Sequence, residues 1–502
     1  MSSNGVNGSS ESFNPILIWE MGIVNEAGKY LTAETFGFKI NVSATSLKKR
    51  QLWTMIPDKT AEYFFIKSHL NRYLSSDKDG KVSCEVEENG VEEQFFIEYC
   101  PKGTGKWAFK SVAYGYYLTG NEDRISCFSK SPSWWSARLA IHPQVHMQNM
   151  KRQRYVRLQG DELHGDQVIP WGFDSLITLE HSTCGKVAVC SRDHRYLNKD
   201  GSLSDKITGN SLYGLELRGG ANPGFTFKDN EGKYLTLIGS TGTVKSKNKV
   251  VSKDEIFTLE ISYPQVGLRA HNGKFASIKQ GVDLYANQAD AEEKEIFQLE
   301  YQNSSKKWKI RTCDGKYWTV TSVNSGIKAT SGDNNESSLF DIIHLTSGKV
   351  LIKASNNMYV SSKKLGLMSA TGENAEDVES LFQAILLNRP MIIFKSDFGL
   401  VGIRNNRVEC NMSTYEAFQL ETANDGNYML KVCGNKDAYW RTGDDNGIKI
   451  DGAAPPQQFI LQFESGTHCA ILASNGKYIR GEQNGLMKAD SDEINKASLW
   501  EF

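Results

Sequence analysis

Gly28-Lys29-Tyr30-Leu31 decides the reading of this chain, because the phrase keeps returning: Asn71-Arg72-Tyr73-Leu74, Gly115-Tyr116-Tyr117-Leu118, Gly232-Lys233-Tyr234-Leu235, Gly476-Lys477-Tyr478-Ile479. Its aromatic position falls at Tyr30, Tyr73, Tyr117, Tyr155, Tyr196, Tyr234, Phe275, Tyr317, Tyr359, Leu400, Tyr439 and Tyr478, with gaps of 38 to 44 residues. Only Leu400 has lost the ring. A fixed period of this length marks a repeat architecture. About ten residues after the aromatic, a Gly-, Asp- or Asn-bearing turn is followed by a lone aliphatic residue such as Val82, Ile125, Val244 or Ile448. Some twenty residues after the aromatic, a bulky residue opens an alternating stretch: Trp53, Phe95, Trp135, Leu176, Leu215, Phe257, Phe297, Phe340, Phe382, Phe418, Phe459 and Trp500. Phe257-Thr-Leu-Glu, Phe297-Gln-Leu-Glu and Phe418-Gln-Leu-Glu show the apolar/polar alternation of half-buried strands. Helical periodicity is weak, so the chain reads as all-β, with short strands joined by Gly-, Asn- and Asp-rich turns.

A four-strand unit of about 40 residues also describes a propeller blade, and the count arbitrates. Propellers close with about four to eight blades, and no Trp-Asp dipeptide is present. Twelve units taken three at a time give four tandem β-trefoils of ordinary domain size. Proline-bearing breaks at His142-Pro143, Tyr263-Pro264 and Asn388-Arg389-Pro390 set the expected boundaries. These are a disordered tail over 1–13 and trefoils over 14–142, 143–263, 264–387 and 388–502.

Composition agrees. At 502 residues the chain exceeds one hydrophobic core, and 39% apolar with 11% aromatic residues is ordinary for globular domains. No run approaches a membrane span and no basic-then-apolar leader opens the chain, so the expectation is a cytosolic protein without membrane insertion. Nine scattered cysteines with no CxxC pair then read as reduced thiols, most of them in cores. A net charge of −1 gives no global field for nucleic acid. Locally the charge is uneven. Lys39, Lys48, Lys49 and Arg50 stand in an acid-free stretch, Lys245, Lys247, Lys249 and Lys253 form a second basic run, and Glu85, Glu87, Glu88, Glu92 and Glu93 an acidic one.

Catalytic constellations do not emerge. Gly103-Thr-Gly-Lys106 lacks the first glycine of a phosphate loop and has Trp107 where Ser or Thr belongs, so it reads as a hairpin turn. The nine histidines lack metal-site spacing; His142 and His146 are four apart, but not on a helix. Neither a metal nor a cofactor is expected, and the chain reads as non-enzymatic. Gln51-Leu52-Trp53 matches the Gln-x-Trp mark of carbohydrate-binding trefoils, but it occurs in one repeat of twelve and reads as a core tryptophan. A lectin-like or single-partner trefoil module without bundling is the alternative function.

Longer phrases point to a family. Gly28-Lys-Tyr-Leu-Thr-Ala-Glu34, Phe36-Gly-Phe-Lys-Ile-Asn41 and Ser46-Leu-Lys-Lys-Arg-Gln-Leu-Trp53 look like the first trefoil of fascin. Glu122-Asp-Arg-Ile-Ser-Cys-Phe128, His142-Pro-Gln-Val145, Asp174-Ser-Leu-Ile-Thr-Leu179, Gly315-Lys-Tyr-Trp-Thr319, Asn388-Arg-Pro390 and Ala497-Ser-Leu-Trp-Glu-Phe502 extend the resemblance to the last residue. It implies a monomer of four trefoils in two lobes, the first and last domains meeting in a cleft. It also implies an actin-filament cross-linker that forms tight parallel bundles in cell projections such as filopodia. Two actin-binding surfaces are required, since a single site only decorates a filament; a compact chain this long, with a radius of gyration of about 23 Å, holds filaments a few tens of Å apart.

By resemblance the first surface draws on Lys29, Lys48, Lys49, Arg50, His142, Gln144, Arg389, Lys395 and Arg480, and the second on Lys249, Lys253, Lys274, Arg311, Lys363 and Lys364. Departures from the family pattern are Gln153 between Arg152 and Arg154, Phe398, and Asn405. Ser46, followed by Lys48-Lys49-Arg50, fits a basophilic kinase of the protein kinase C type, and fascins are inhibited by phosphorylation at the matching serine.

Overall fold

Strands begin where the alternation begins. The structure, a computed structural model, describes residues 13–122, 124–182, 184–279, 281–330, 336–423, 425–434 and 438–502. Of the tail expected over 1–13, residues 1–12 lie outside the described residues, and Phe13 donates its backbone N–H to the Tyr155 hydroxyl at 3.0 Å. The bulky residue opening each alternating stretch is buried in all twelve repeats, none more than 3% exposed.

In the first sheet, Glu20–Val24 pairs with Trp53–Pro57, which pairs with Phe64–Ser68, and so on through Gln94–Tyr99 and Trp107–Ser111. A Trp107–Trp135 bridge leads to Ser136–Leu139, whose pairing with Glu20–Val24 closes the ring. Six strands thus make a barrel, and three hairpins (Tyr30–Ala33 with Ile40–Ala44, Tyr73–Ser76 with Val82–Val86, Tyr117–Asn121 with Arg124–Ser129) cap one end. The same order recurs in sheets spanning 144–261, 265–386 and 391–501. Only the fourth differs, its first strand being broken into Met391–Ile392 and Lys395–Ser396. Six barrel strands and three cap hairpins, four times over, are four β-trefoils in an all-β chain.

The motif tyrosine is not the innermost residue of its repeat. That place belongs to the next one: Leu31, Leu74, Leu118, Val156, Leu197, Leu235, Ala276, Trp318, Val360, Val401, Trp440 and Ile479 are all 0% exposed. The bulky residue locks onto it. The indoles of Trp53, Trp135 and Trp500 donate to the carbonyls of Leu31, Leu118 and Ile479 at 2.9, 3.2 and 3.0 Å, and the rings of Phe297 and Phe418 meet Trp318 and Trp440 edge-on at 4.9 Å.

The motif residue is buried or half-buried in every repeat, and in five of them its ring serves as a polar strut. Tyr117, Tyr196, Tyr234, Tyr317 and Tyr439 donate their hydroxyls to Glu98, Glu180, Glu216, Glu300 and Glu421 at 2.6 to 3.1 Å. Lys110, Lys228, Lys309 and Lys431 lie 5.2 to 5.6 Å from the centres of four of these rings, each such contact worth about 0.5–1 kcal/mol. Glu300 and Glu421 close Phe-x-Leu-Glu phrases, so in those two repeats one sequence element supplies both core and strut.

The chain divides into two compact units, Met1–Pro170 with Ser175–Ser262, and Trp171–Asp174 with Tyr263–Phe502. In the first, the Tyr99 hydroxyl bonds both the N–H and the carbonyl of Leu217 at 2.7 Å, and the Leu139 N–H donates to His181 Nε2 at 3.0 Å. In the second, the Leu386 N–H donates to the Tyr428 hydroxyl at 2.9 Å, and the Phe463 N–H to His344 Nε2 at 3.0 Å. Each unit thus joins its two barrels with one tyrosine and one histidine. Burial pushes both histidines down to about 4, so their rings are neutral acceptors at cellular pH. Among the described residues no helix is long and apolar enough to cross a membrane.

Candidate functional site

The basic run of the first barrel is presented by a short 3-10 turn, Lys49–Gln51, with Lys48 as its N-cap. Gln51 is buried; its Oε1 accepts the Lys48 N–H at 3.1 Å and its Nε2 donates to Thr32 Oγ1 at 3.0 Å. In three other repeats the same place is held by a glutamate, and in the last by Ser498. Glu93 accepts from the Gly90 N–H, Glu255 from Ser252 and Glu295 from Glu292, at 2.7 to 3.0 Å. The Gln-x-Trp phrase is therefore one version of a repeated cap, its Trp53 fully buried, and it offers no ring to a sugar.

Leu47 fixes the approach to this turn. Its Cδ1 lies 2.7 Å from where a Cβ on Gly22 would stand, so the leucine packs directly over that glycine. Ser46, Lys48 and Lys49 are left exposed, and neither lysine has an ion pair among the described residues. Arg50 differs, pairing with Glu34 at 2.9 Å. Lys29 is half-buried on the turn before Tyr30, its N–H bonded to Asn25 Oδ1 at 2.9 Å.

The other residues expected in the first surface sit differently. His142 and Gln144, in the first unit, are 7% and 3% exposed, and the Gln144 N–H donates to His142 Nδ1 at 3.2 Å. Arg389, Lys395 and Arg480 belong to the second unit. Arg389 is 1% exposed, its guanidinium 5.0 Å from the Phe502 ring centre and donating to Tyr263 O and Asn388 Oδ1 at 3.4 and 3.2 Å. Burial pushes it down to about 9. A cation expected at the surface is here a core residue, because the Asn388-Arg389-Pro390 segment runs beneath the C-terminal Phe502. Lys395 pairs with Glu501 at 2.7 Å. Arg480 forks onto Asp490 at 2.6 and 2.9 Å and reaches Glu482 at 3.0 Å, and the Asp490 hydrogen bond raises its already high value.

The residues expected in the second surface fall on both units. In the first, Lys249 and Lys253 are exposed on either side of Ser252, the N-cap of the 3-10 turn Lys253–Glu255, and carry no ion pair among the described residues. In the second, the third barrel brings Lys274, Lys363 and Lys364 to one end. The Asn272 side chain, in the Lys274 turn, donates to Ala286 O at 2.9 Å. Gly366, at the end of the Lys363-Lys364 turn, lies against the same carbonyl, 2.5 Å from where its Cβ would stand. Lys274 and Lys364 are exposed without an ion pair among the described residues, whereas Lys363 reaches Glu379 at 3.2 Å. Arg311 is withdrawn to the rim, against Glu300 at 3.3 Å and over Tyr317 at 5.5 Å.

The departures have local causes. Arg152 donates to Leu237 O and Gly239 O at 2.9 and 2.8 Å, while Gln153 occupies a left-handed turn position (φ +52°) and its Nε2 donates to Met150 O at 2.7 Å. Phe398 packs partly buried against the second unit's core, and Asn405 sits exposed at φ +51°. Sequence reasoning missed the carboxylates that pair with five of the thirteen candidate cations; most are cross-strand or far along the chain, and only Glu482 and Asp490, within ten residues of Arg480, leave a local signal. Among the described residues no group of three or more His, Cys, Asp or Glu side chains could hold a metal ion. A cavity of about 740 Å³ in the first unit, lined by Glu26, Lys106, Arg138 and Lys186 among others, holds none of the expected site residues.

A family model, the Fascin domain, matches residues 27–135, 145–259, 270–383 and 400–502, one match on each barrel. The chain belongs to the fascin family. Fascin-2 of Mus musculus is 37% identical over 98% of this chain and 100% of its own, and fascin of Strongylocentrotus purpuratus 33% identical over 97% and 99%. Fascin-3 of Mus musculus is 24% identical over 96% and 97%. Among solved structures, the designed threefold-symmetric ThreeFoil overlies 24% of this chain and 99% of its own at a TM-score of 0.23 and 12% identity, too slight a likeness to bear on the fold. Fascins are structural, actin-bundling proteins rather than enzymes, and membership brings with it an actin partner and the cytoplasmic actin cytoskeleton as setting.

Proposed function

We propose that one chain, acting as a monomer, cross-links two actin filaments through two separate surfaces, in the tight parallel bundles of cell projections. The observation carrying this reading is that open cations occur on turns of both compact units: Lys48 and Lys49 on the capped turn of the first barrel, and Lys274 and Lys364 on the cap of the third. Actin filaments are acidic, and cations on rigid turns steer association in a salt-dependent way. Lys29 borders the first set, while Lys249 and Lys253 add to the second on the first unit. Arg50, Lys363, Lys395, Arg480 and Arg311 contribute through or around their carboxylates. His142, Gln144 and Arg389 act from beneath, by holding the backbone. Ser46 supplies control: a phosphate from a protein kinase C-type enzyme adds about −1.5 to −2 charges beside Lys48 and Lys49.

Low-speed cosedimentation with filaments tests the proposal. Pelleted bundles are the expected result. Chain that binds filaments only in high-speed pellets, and never brings actin down at low speed, would refute cross-linking and favour the single-partner module.

A further inference from the structure

The three cap hairpins of the third barrel are tied into a triangle. The Leu284 N–H donates to Ile327 O at 3.1 Å, the Met368 N–H to Leu284 O at 3.0 Å, and the Ala370 N–H to Ser325 O at 2.7 Å. Tips from three consecutive repeats therefore share one end of the barrel. Each carries an exposed aliphatic side chain: Val282 is 46% exposed, Val323 75% and Leu365 93%, with Leu367 beside them at 39%.

The fold does not require this. The fourth barrel, in the same unit, ties its cap in the same way: the Ile450 N–H to Asn406 O at 3.0 Å, the Cys410 N–H to Gly485 O and the Ala489 N–H to Asn446 O, both at 2.8 Å. Its tips are Asn405-Asn406, Asp444-Asp445-Asn446 and Gln483-Asn484, and the asparagines 405, 406 and 446 take the left-handed positions at φ +51°, +63° and +59°. The third cap puts Leu365 at such a position, φ +65°, where a branched apolar side chain is disfavoured and gains no burial from its own chain. Three aliphatic tips converging on one solvent-facing end, in a unit whose other barrel builds the same cap from polar residues, mark a contact surface.

Charge indicates what covers it. Lys363 and Lys364 immediately precede Leu365, and Lys274 lies on the neighbouring turn against Ala286. Solvent-exposed cations alone fix a partner weakly; an apolar centre from which water is excluded, ringed by cations, is the usual anatomy of a strong contact. We infer that Leu365, Val323 and Val282 form the desolvated centre of the second actin-binding surface, covered by a filament subunit, with Lys364, Lys363 and Lys274 as its rim. This rests on the two-surface reading above.

The test uses the full chain. Leu365→Asn with Val323→Thr keeps the turn chemistry of the fourth cap, and an unchanged melting curve certifies the fold. Low-speed and high-speed cosedimentation are run from low to moderate salt beside the charge variant Lys363→Gln with Lys364→Gln. The expected result is a roughly tenfold loss of bundling for the apolar variant at every salt concentration, with filament binding in high-speed pellets retained. For the charge variant the deficit shrinks as salt rises. An apolar variant that bundles like the parent while the charge variant fails overturns the apolar centre and leaves the two-surface reading standing. If both variants bundle normally, the second surface itself is misplaced and the inference falls with it. Vesicles of phosphatidylserine and phosphatidylcholine give a further arm; an apolar variant that loses vesicle flotation but keeps bundling overturns the inference in favour of a lipid surface.

Discussion

The first and fourth barrels carry cations that look alike in sequence and behave differently in space. On the first, Lys48 and Lys49 stand exposed on a turn whose backbone is satisfied from below by Gln51, leaving both ammonium groups open. On the fourth, Arg389 is buried over Phe502, Lys395 is held by Glu501 and Arg480 by Asp490 and Glu482. The difference follows from topology. The 3-10 turn of the first barrel leaves Lys48 and Lys49 exposed without an ion pair among the described residues, although Arg50 in the same turn reaches Glu34. Arg480 lies on a strand: Lys488 stands directly opposite, and the guanidinium reaches the diagonal Asp490 and the nearby Glu482. Lys48 and Lys49 keep open charges, whereas the cations of the fourth barrel are already engaged within the fold.

The largest effect that could break this contrast concerns Arg389. If it is a core residue, Arg389→Ala removes its hydrogen bonds and its packing on Phe502 and destabilises the second unit by about 2–4 kcal/mol. Urea unfolding followed by tryptophan fluorescence should show an earlier transition, treated as one of several because the chain has more than one cooperative unit. Unchanged unfolding together with lost filament binding would return Arg389 to the surface and dissolve the contrast.

How much of this the sequence could show depends on the range of the interaction. The period, the all-β class and the bulky core residues were legible because each is written locally twelve times; every bulky residue from Trp53 to Trp500 is buried. The motif tyrosine was legible as a marker but not in its role. Its neighbour proves to be the core residue, and the ring serves at the rim, because a two-residue period puts adjacent side chains on opposite faces. The struts Glu300 and Glu421 were visible in Phe-x-Leu-Glu phrases, yet their targets Tyr317 and Tyr439 lie 17 and 18 residues away across a turn. Least legible was the state of each cation: nothing near Lys395 announces Glu501, 106 residues on.

A smaller effect sharpens the contrast. Lys48→Glu with Lys49→Glu reverses two open charges and should lower filament affinity by at least tenfold at low salt, with the deficit narrowing as salt rises. Lys395→Met should change binding by less than about twofold, since the charge it removes is already matched by Glu501 and exposed pairs contribute about 0–1 kcal/mol. Cosedimentation isotherms at several salt concentrations read both. Equal losses from the two variants would mean that pairing with a carboxylate does not withdraw a lysine from binding.

A loss smaller than that of the double reversal is expected at Ser46, two residues before Lys48 on the exposed approach that Leu47 anchors over Gly22. A charge added at Ser46 lies two residues from Lys48 and three from Lys49, within reach of the turn. A carboxylate introduced there by Ser46→Glu offers Lys48 and Lys49 what Glu34 already gives Arg50, an internal partner at hydrogen-bonding range. The open cations of the first barrel would then resemble those of the fourth. One added charge on an exposed turn is screened and partly mobile, so the loss of affinity should be about three- to tenfold, less than the double reversal produces. A phosphate, with about −1.5 to −2 charges, should exceed the glutamate. Ser46→Ala adds no charge and should match the parent in binding and bundling. The measurement is cosedimentation of both variants across a salt series, with the parent phosphorylated in vitro by protein kinase C as the upper limit. Indistinguishable behaviour of Ser46→Glu and Ser46→Ala at low salt, where the electrostatic difference is greatest, would remove Ser46 as a switch while leaving Lys48 and Lys49 in place.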